Sequence, residues 1–187
     1  MGASKALLPF GPESMVQRVI RVVGSVVSPV VLAAARRQQL PTLPDGVLVA
    51  RDQNDGRGPL EGLRAAWKRM PAGIDRVYVT SCDVPLLKPE FIARMIDLLG
   101  AYEIAVPEIE GLVHPLAGVY RRETLSRLEA LLARGELRET RFLALAKTRR
   151  VQADELADID PQFLSLRSLH TRDAYIEALR QNRSSAQ

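Results

Sequence analysis

Apolar positions in this 187-residue chain follow two rhythms, a helical period of about 3.6 residues and short unbroken runs. Between Glu13 and Val23, the residues Met15, Val16, Val19, Ile20 and Val23 share one helical face, with Arg18 and Arg21 opposite. That spacing predicts an amphipathic helix. "SPVVLAAA" after it, and "GVLVARD" further on, read as buried strands, the second ending on Asp52. "NDGRGPLEG" has loop composition and opens a helix that carries Leu63, Ala66, Trp67 and Met70 at helical spacing. "DRVYVTSCD" is the clearest buried strand and ends on Asp83. Pro89 then stands at the start of a helix with Phe91, Ile92, Met95, Ile96 and Leu99.

The first hundred residues therefore alternate helix and strand at the spacing of a parallel sheet covered on both faces. The second half is less regular. "YEIAVPEIEGLVHPLAGVYRR" reads as two strands around a turn at Glu110-Gly111. A helix follows through Leu125, Leu128, Leu131 and Leu132, then one short strand within "TRRVQADELADID", and a last helix near Arg172–Arg180. No linker, repeat or low-complexity block interrupts the chain. The expectation is one α/β domain over residues 1–187, with a mostly parallel sheet and helices on both faces.

Composition narrows the class. A hydrophobic content of 47% suits a globular core. No run reaches the ~20 apolar residues of a membrane span, and residues 1–10 lack the pattern of a signal peptide. One cysteine, Cys82, excludes an internal disulfide, suits a reducing cytoplasm and reads as a small buried side chain. The net charge of +4 comes from 22 Arg and 4 Lys scattered without a cluster, and no nucleic-acid-binding signature accompanies them. A basic surface that attracts small polyphosphates is the simpler reading, with neither nucleic acid nor membrane as partner.

In an open parallel sheet, ligands bind beyond the carboxyl ends of the strands, and two strands here end in a carboxylate. Asp83, followed by Val84-Pro85, is placed to act as a single-point ligand for Mg²⁺, which takes one or two carboxylates plus phosphate oxygens and water. Its structural alternative is to cap the helix that begins at Pro89. Asp52 is placed to accept hydrogen bonds from a base or ribose, or else to begin a turn. Lys5, behind Gly2 and Ser4, is one of only four lysines and offers a compact ammonium for phosphate charge. His114 and His170 lack metal-ligand spacing, and the only acid beside His170 in sequence is Asp173. Cys82 has no evident partners for a thiol nucleophile. The absence of GxGxxG and Walker A patterns argues against a nicotinamide dehydrogenase or P-loop kinase.

Together, "MGASKALLPFG", "RD…GPLEGL", "SCDVPLL" and "HPLAGVYRR" resemble, in order and near spacing, the molybdenum cofactor guanylyltransferases. These belong to the wider group of MobA-like nucleotidyltransferases with a Rossmann-like fold. The resemblance implies that Lys5 contacts the nucleotide phosphates with Gly2 beside it, and that Asp52 recognises the nucleoside. It further implies that Asp83 binds Mg²⁺ together with the nucleotide, and that His114 and His170 lie on the acceptor side. The implied reaction is attack of the molybdopterin phosphate on the α-phosphorus of Mg-GTP, with pyrophosphate leaving. Such chemistry needs in-line positioning and charge neutralisation, with no protein nucleophile. Molybdoenzymes or cofactor-biosynthesis proteins are the partners it implies.

Two departures accompany the resemblance. Where the family carries N-x-N-T-P, this chain reads "SLHTRD", with Ser168 and His170 at the asparagine positions and Arg172 at the proline. The family's signature loop, L-A-G-G-x-S-x-R-M-G-x-x-K, is represented only by its end, Met1 to Lys5. The expectation is a domain that lacks the sheet's first strand and the glycines that approach the phosphates. An apolar groove would be left beside that strand's neighbours, and affinity for GTP would be poor. Related alternatives are a cytidylyltransferase for the same cofactor, a transferase acting on a sugar phosphate or phospholactate, and a non-catalytic nucleotide-binding paralogue.

Overall fold

A computed structural model describes residues 5–51 and 56–184; the side chains of Lys5, Arg183 and Ser184 lie outside the described set. The chain enters through a 3₁₀ turn, Lys5–Leu7, and a two-residue ribbon of β1 (Pro9–Phe10) and β2 (Glu13–Ser14). Helix α1 (Met15–Gly24) starts where Ser14 and Gln17 form a reciprocal capping box that satisfies two orphan amides. Strands β3 (Val31–Ala34) and β4 (Leu48–Arg51) pair in parallel. Helix α2 (Pro59–Arg69) begins with proline at its first turn, β5 (Arg76–Thr80) follows, and α3 (Pro89–Leu98) again begins on proline.

The second half contains β6 (Ile104–Ile109), β7 (Leu112–Val113), β8 (Ala117–Arg121), α4 (Leu125–Ala133), α5 (Glu139–Ala144), β9 (Thr148–Val151) and α6 (Arg172–Ser184). Where two strands were expected around the turn, there are three. Glu110 and Gly111 both adopt positive φ (51° and 78°), the geometry of a tight hairpin, so β7 folds straight back on β6. The chain then breaks at His114-Pro115-Leu116 before β8 continues along the same edge, because proline cannot donate to the ladder.

The sheet is mixed, which corrects the mostly parallel expectation. β5 and β6 each pair antiparallel with β8, and only β9 joins β6 in parallel, on the edge opposite β8. The cause is local: a two-residue hairpin forces antiparallel pairing, whereas parallel neighbours need a crossover.

Alternation along the strands divides the core between the two faces. Ala105, Val119 and Val151 pack with Val19 and Val23 of α1 and with Phe91, Ile92 and Met95 of α3. Ile104, Val106 and Tyr120 pack with Leu63 and Trp67 of α2, Leu128 of α4 and Phe142 of α5. Helices cover both faces, as expected. Gly118 marks the closest approach of β8 to β6: a Cβ there would lie 2.6 Å from the Ala105 carbonyl oxygen and 2.6 Å from Val106 Cγ1. Among the described residues, no helix is long and apolar enough to cross a membrane.

Candidate active site

Thr80 ends β5 opposite Ala117, the first residue of β8, so the turn after β5 and the segment before β8 emerge at the same end of the sheet. Asp83 lies in the first of these and His114 in the second. The Asp83 turn is rigidly seated. Val84 and Leu87 are buried on either side of Pro85, and the Leu87 amide donates to the Val84 carbonyl. Arg18 Nε, on the polar side of α1, donates to the Pro85 carbonyl at 2.7 Å while its guanidinium stacks over Phe10. A residue assigned by its period to the solvent face thus anchors the loop beside the site.

Asp83 is only 6% exposed, and each of its oxygens has a neighbour. Ser81 Oγ donates to Oδ1 at 2.5 Å, His170 Nδ1 stands 3.4 Å from Oδ2, and the Leu169 amide donates to the Asp83 carbonyl at 2.9 Å. The helix-capping alternative fails, since Lys88 is the N-cap residue of α3 and no side chain caps it.

The segment that carries "SLHTRD" is pinned to this loop. Asp160 is fully buried, its Oδ1 lies 3.1 Å from Lys88 Nζ, and its Oδ2 accepts from the Ser165 amide. Ser165 Oγ in turn accepts from the Lys88 amide. These contacts, with fully buried Leu169, present His170 to Asp83. The acid beside His170 is therefore Asp83 and not Asp173, a partner that spacing along the sequence could not reveal.

His114 occupies a different niche at the same end of the sheet. It is half-buried, and burial lowers its pKa below the usual imidazole value. With Ile109, Leu112, Gln162, Phe163 and Arg167 it lines a cavity of about 550 Å³ that includes neither Asp83 nor His170. Phe163 holds φ 49°, a strained conformation for an aromatic residue, and Arg167 is paired with Glu177. The cavity combines the aromatic ring of Phe163, the imidazole of His114 and the polar groups of Gln162 and Arg167.

Gly2 and Asp52 lie outside the described residues, as does the side chain of Lys5. Of the residues singled out from the sequence, the structure brings Asp83 and His170 together and holds His114 apart. Ser81, Arg18, Lys88 and Asp160 were not legible as parts of the site; each acts through a contact distant in sequence or through an ordinary-looking residue.

Among the described residues, no group of three or more His, Cys, Asp or Glu gathers to hold a metal ion. A cation bound here would be held by Asp83 with ligand oxygens and water completing its shell. That fits Mg²⁺, which keeps several waters and shares itself with phosphate, and does not fit a zinc site closed by protein ligands.

Comparison with known proteins bears on this arrangement. Residues 1–152 match the profile of the MobA-like NTP transferase domain. The chain is 30% identical over 169 residues to a probable molybdenum cofactor guanylyltransferase of Pelotomaculum thermopropionicum, covering 89% of this chain and 80% of that protein. A protein of the same name from Mycobacterium tuberculosis is 39% identical over 145 residues, covering 73% and 69% respectively. Among solved structures, molybdopterin-guanine dinucleotide biosynthesis protein A from Archaeoglobus fulgidus superposes with a TM-score of 0.79 at 16% identity, over 98% of this chain and 92% of that one. A Mycobacterium tuberculosis protein, Rv0371C, solved as a complex with manganese, gives a TM-score of 0.62 at 20% identity over 96% and 93%.

Proposed function

The chain belongs to the MobA-like NTP transferase family, and from that premise we propose that it transfers GMP from Mg-GTP to the phosphate of molybdopterin, releasing pyrophosphate. The likeness over 89% of the chain to a relative named for this activity carries the reading. The seated carboxylate at the end of β5 supports it.

Asp83 is the residue that would hold Mg²⁺. When bound, the ion neutralises triphosphate charge that builds up as pyrophosphate departs. The chain's own contribution is positioning. Ser81 fixes one carboxylate oxygen, His170 flanks the other, and the Leu169 amide locks the backbone, so the anion is preorganised and its orientation costs nothing at the moment of reaction. Lys5 supplies positive charge to the phosphates, with Gly2 allowing close backbone approach, and Asp52 accepts from the guanine N1–H and N2 amine. The acceptor enters from the side of His114 and the cavity beside it, with His170 between acceptor and nucleotide. No side chain is required as a nucleophile, because the acceptor's own phosphate attacks.

The test is incubation with Mg²⁺, molybdopterin and each of GTP, CTP, ATP and UTP, measuring pyrophosphate and the dinucleotide product by mass. Release with GTP, matched by guanine dinucleotide, is the expected result. Preferential release with CTP would make the protein a cytidylyltransferase. No release with any triphosphate would make it a non-catalytic nucleotide-binding paralogue.

A further inference from the structure

Three consecutive carbonyls of the Asp83 turn each accept a hydrogen bond, and each from a different source. The Leu169 amide donates to the Asp83 carbonyl at 2.9 Å, the Leu87 amide to Val84 at 3.1 Å, and Arg18 Nε to Pro85 at 2.7 Å. The first ties the turn to the segment that carries His170, and the second closes the turn on itself. The third ties it to α1. Of the three donors only Arg18 is a side chain, and its charge makes this the stronger kind of bond.

Arg18 is no ordinary member of the polar face of α1. Its side chain is 23% exposed, Cζ lies 5.2 Å from the centroid of the fully buried Phe10 ring, and Nη1 lies 3.6 Å from Glu13. Burial, and after it the charge of Arg21, push its pKa below the usual arginine value, with Glu13 opposing them. Arg21, three residues on, shows the contrast. It is 59% exposed and its guanidinium bonds to Glu13, a surface pair of the kind that contributes little. A guanidinium stacked on a ring and bonded through Nε has its plane fixed.

What Arg18 joins gives the link its meaning. Phe10, Met15 and Leu169 belong to one buried cluster, and Leu86 packs against it. Phe10 lies on the stretch that runs on from Lys5, Met15 opens α1, Leu86 continues the Asp83 turn, and Leu169 precedes His170. This cluster gathers three parts of the candidate site, but apolar contacts are non-directional and leave the turn free to rock. Hydrogen bonds at its rim, which are directional, remove that freedom. We propose that Arg18 is a positioning residue for the metal carboxylate: by holding the Pro85 carbonyl it fixes the Asp83 turn against α1. It thereby sets where Asp83 stands relative to the phosphates that Lys5 meets. The proposal rests on the reading of Asp83 as the residue that holds Mg²⁺. Arg18 takes no part in the chemistry and acts through the backbone two residues beyond Asp83. Supports of this kind, outside the ligand shell, are worth about 10–100-fold in metal affinity or activity.

The experiment compares Arg18→Met, Arg18→Lys and Arg21→Met with the parent chain. Methionine keeps an apolar stem over Phe10 and removes the donor. Lysine restores a charged donor for the Pro85 carbonyl. Arg21→Met takes the second guanidinium from Glu13 and leaves the turn alone. Amide exchange, measured without nucleotide or metal, should quicken about tenfold at Leu87 and Leu169 in Arg18→Met, while the β6–β8 ladder stays protected. The Mg²⁺ concentration that half-saturates its effect on GTP affinity should rise at least about tenfold, with metal-free GTP affinity unchanged. Arg18→Lys should recover most of both properties, and Arg21→Met should match the parent. Parental exchange or a parental Mg²⁺ midpoint in Arg18→Met would overturn the proposal. So would faster exchange spread evenly through the ladder, no recovery with lysine, or an equal loss in Arg21→Met. A parent chain whose GTP affinity ignores Mg²⁺ would instead fail the metal reading before any substitution is made. The exchange rates would still decide whether Arg18 holds the turn.

Discussion

Replacing Asp83 with asparagine separates the structural from the chemical role of this residue. Asparagine keeps the size of the side chain and one carbonyl oxygen, so Ser81 retains an acceptor, and the Leu169 amide still bonds to the backbone carbonyl. The loss is the charge on the Ser81 hydrogen bond. A bond to a charged group contributes about 1.5–3 kcal/mol and a neutral one about 0.5–1.5, so the fold should lose about 1 kcal/mol. For a chain of this size that lowers Tm by about 2–4 °C. Catalysis should suffer far more, because the substitution removes the only carboxylate of the seated turn that could ligate a cation. Pyrophosphate release at saturating Mg²⁺ and GTP should fall by well over tenfold, about 1.4 kcal/mol of barrier, while circular dichroism stays unchanged. A well-folded Asp83→Asn protein that retains more than a tenth of the parental rate would refute the assignment of the metal to this residue.

Three further outcomes are expected. Gly118→Ala places a methyl group 2.6 Å from the Ala105 carbonyl and forces β8 away from β6. It should cost about 1–3 kcal/mol in urea denaturation, and an unchanged midpoint would show that the two strands pack more loosely than described. Because burial lowers the pKa of His114, the folded state favours its neutral form. Its contribution to stability is therefore complete above the unfolded histidine value of about 6.5 and is lost as pH falls through the lower folded value. His114→Phe should flatten that acid-side loss, and an identical pH profile would contradict it. Replacing Ser168 and His170 together by asparagine should leave turnover equal or higher, since an amide can donate to Asp83 where the imidazole now stands; a large loss would reveal a role specific to histidine.

The sequence was most informative where the physics is local. α1, α2 and α3 were visible because an apolar stripe coincided with a start signal, the Ser14–Gln17 box or the prolines at 59 and 89. β5 was visible as an apolar run stopped by Asp83 and Pro85. Short α5 was not, since six residues with charges at 139 and 141 give too little period to read. The order and direction of the strands depend on which edges meet, and only the hairpin at Glu110-Gly111 was a local clue that the sheet would be mixed. Asp83 was legible by its position at a strand end. Its environment was not: Arg18 reads as a solvent-facing helix residue, and His170 reaches Asp83 only because the buried Asp160–Lys88–Ser165 contacts fold that segment back.

Calorimetric titration of the protein with GTP, CTP, ATP and UTP, each with and without Mg²⁺, addresses the proposed activity most directly, because relative affinities survive even where absolute binding is weak. The account predicts that GTP binds at least about tenfold, or 1.4 kcal/mol, more tightly than the other three in the presence of Mg²⁺, and that Asp83→Asn abolishes the effect of the metal. Equal affinity for all four triphosphates, or binding indifferent to both Mg²⁺ and Asp83, would contradict it.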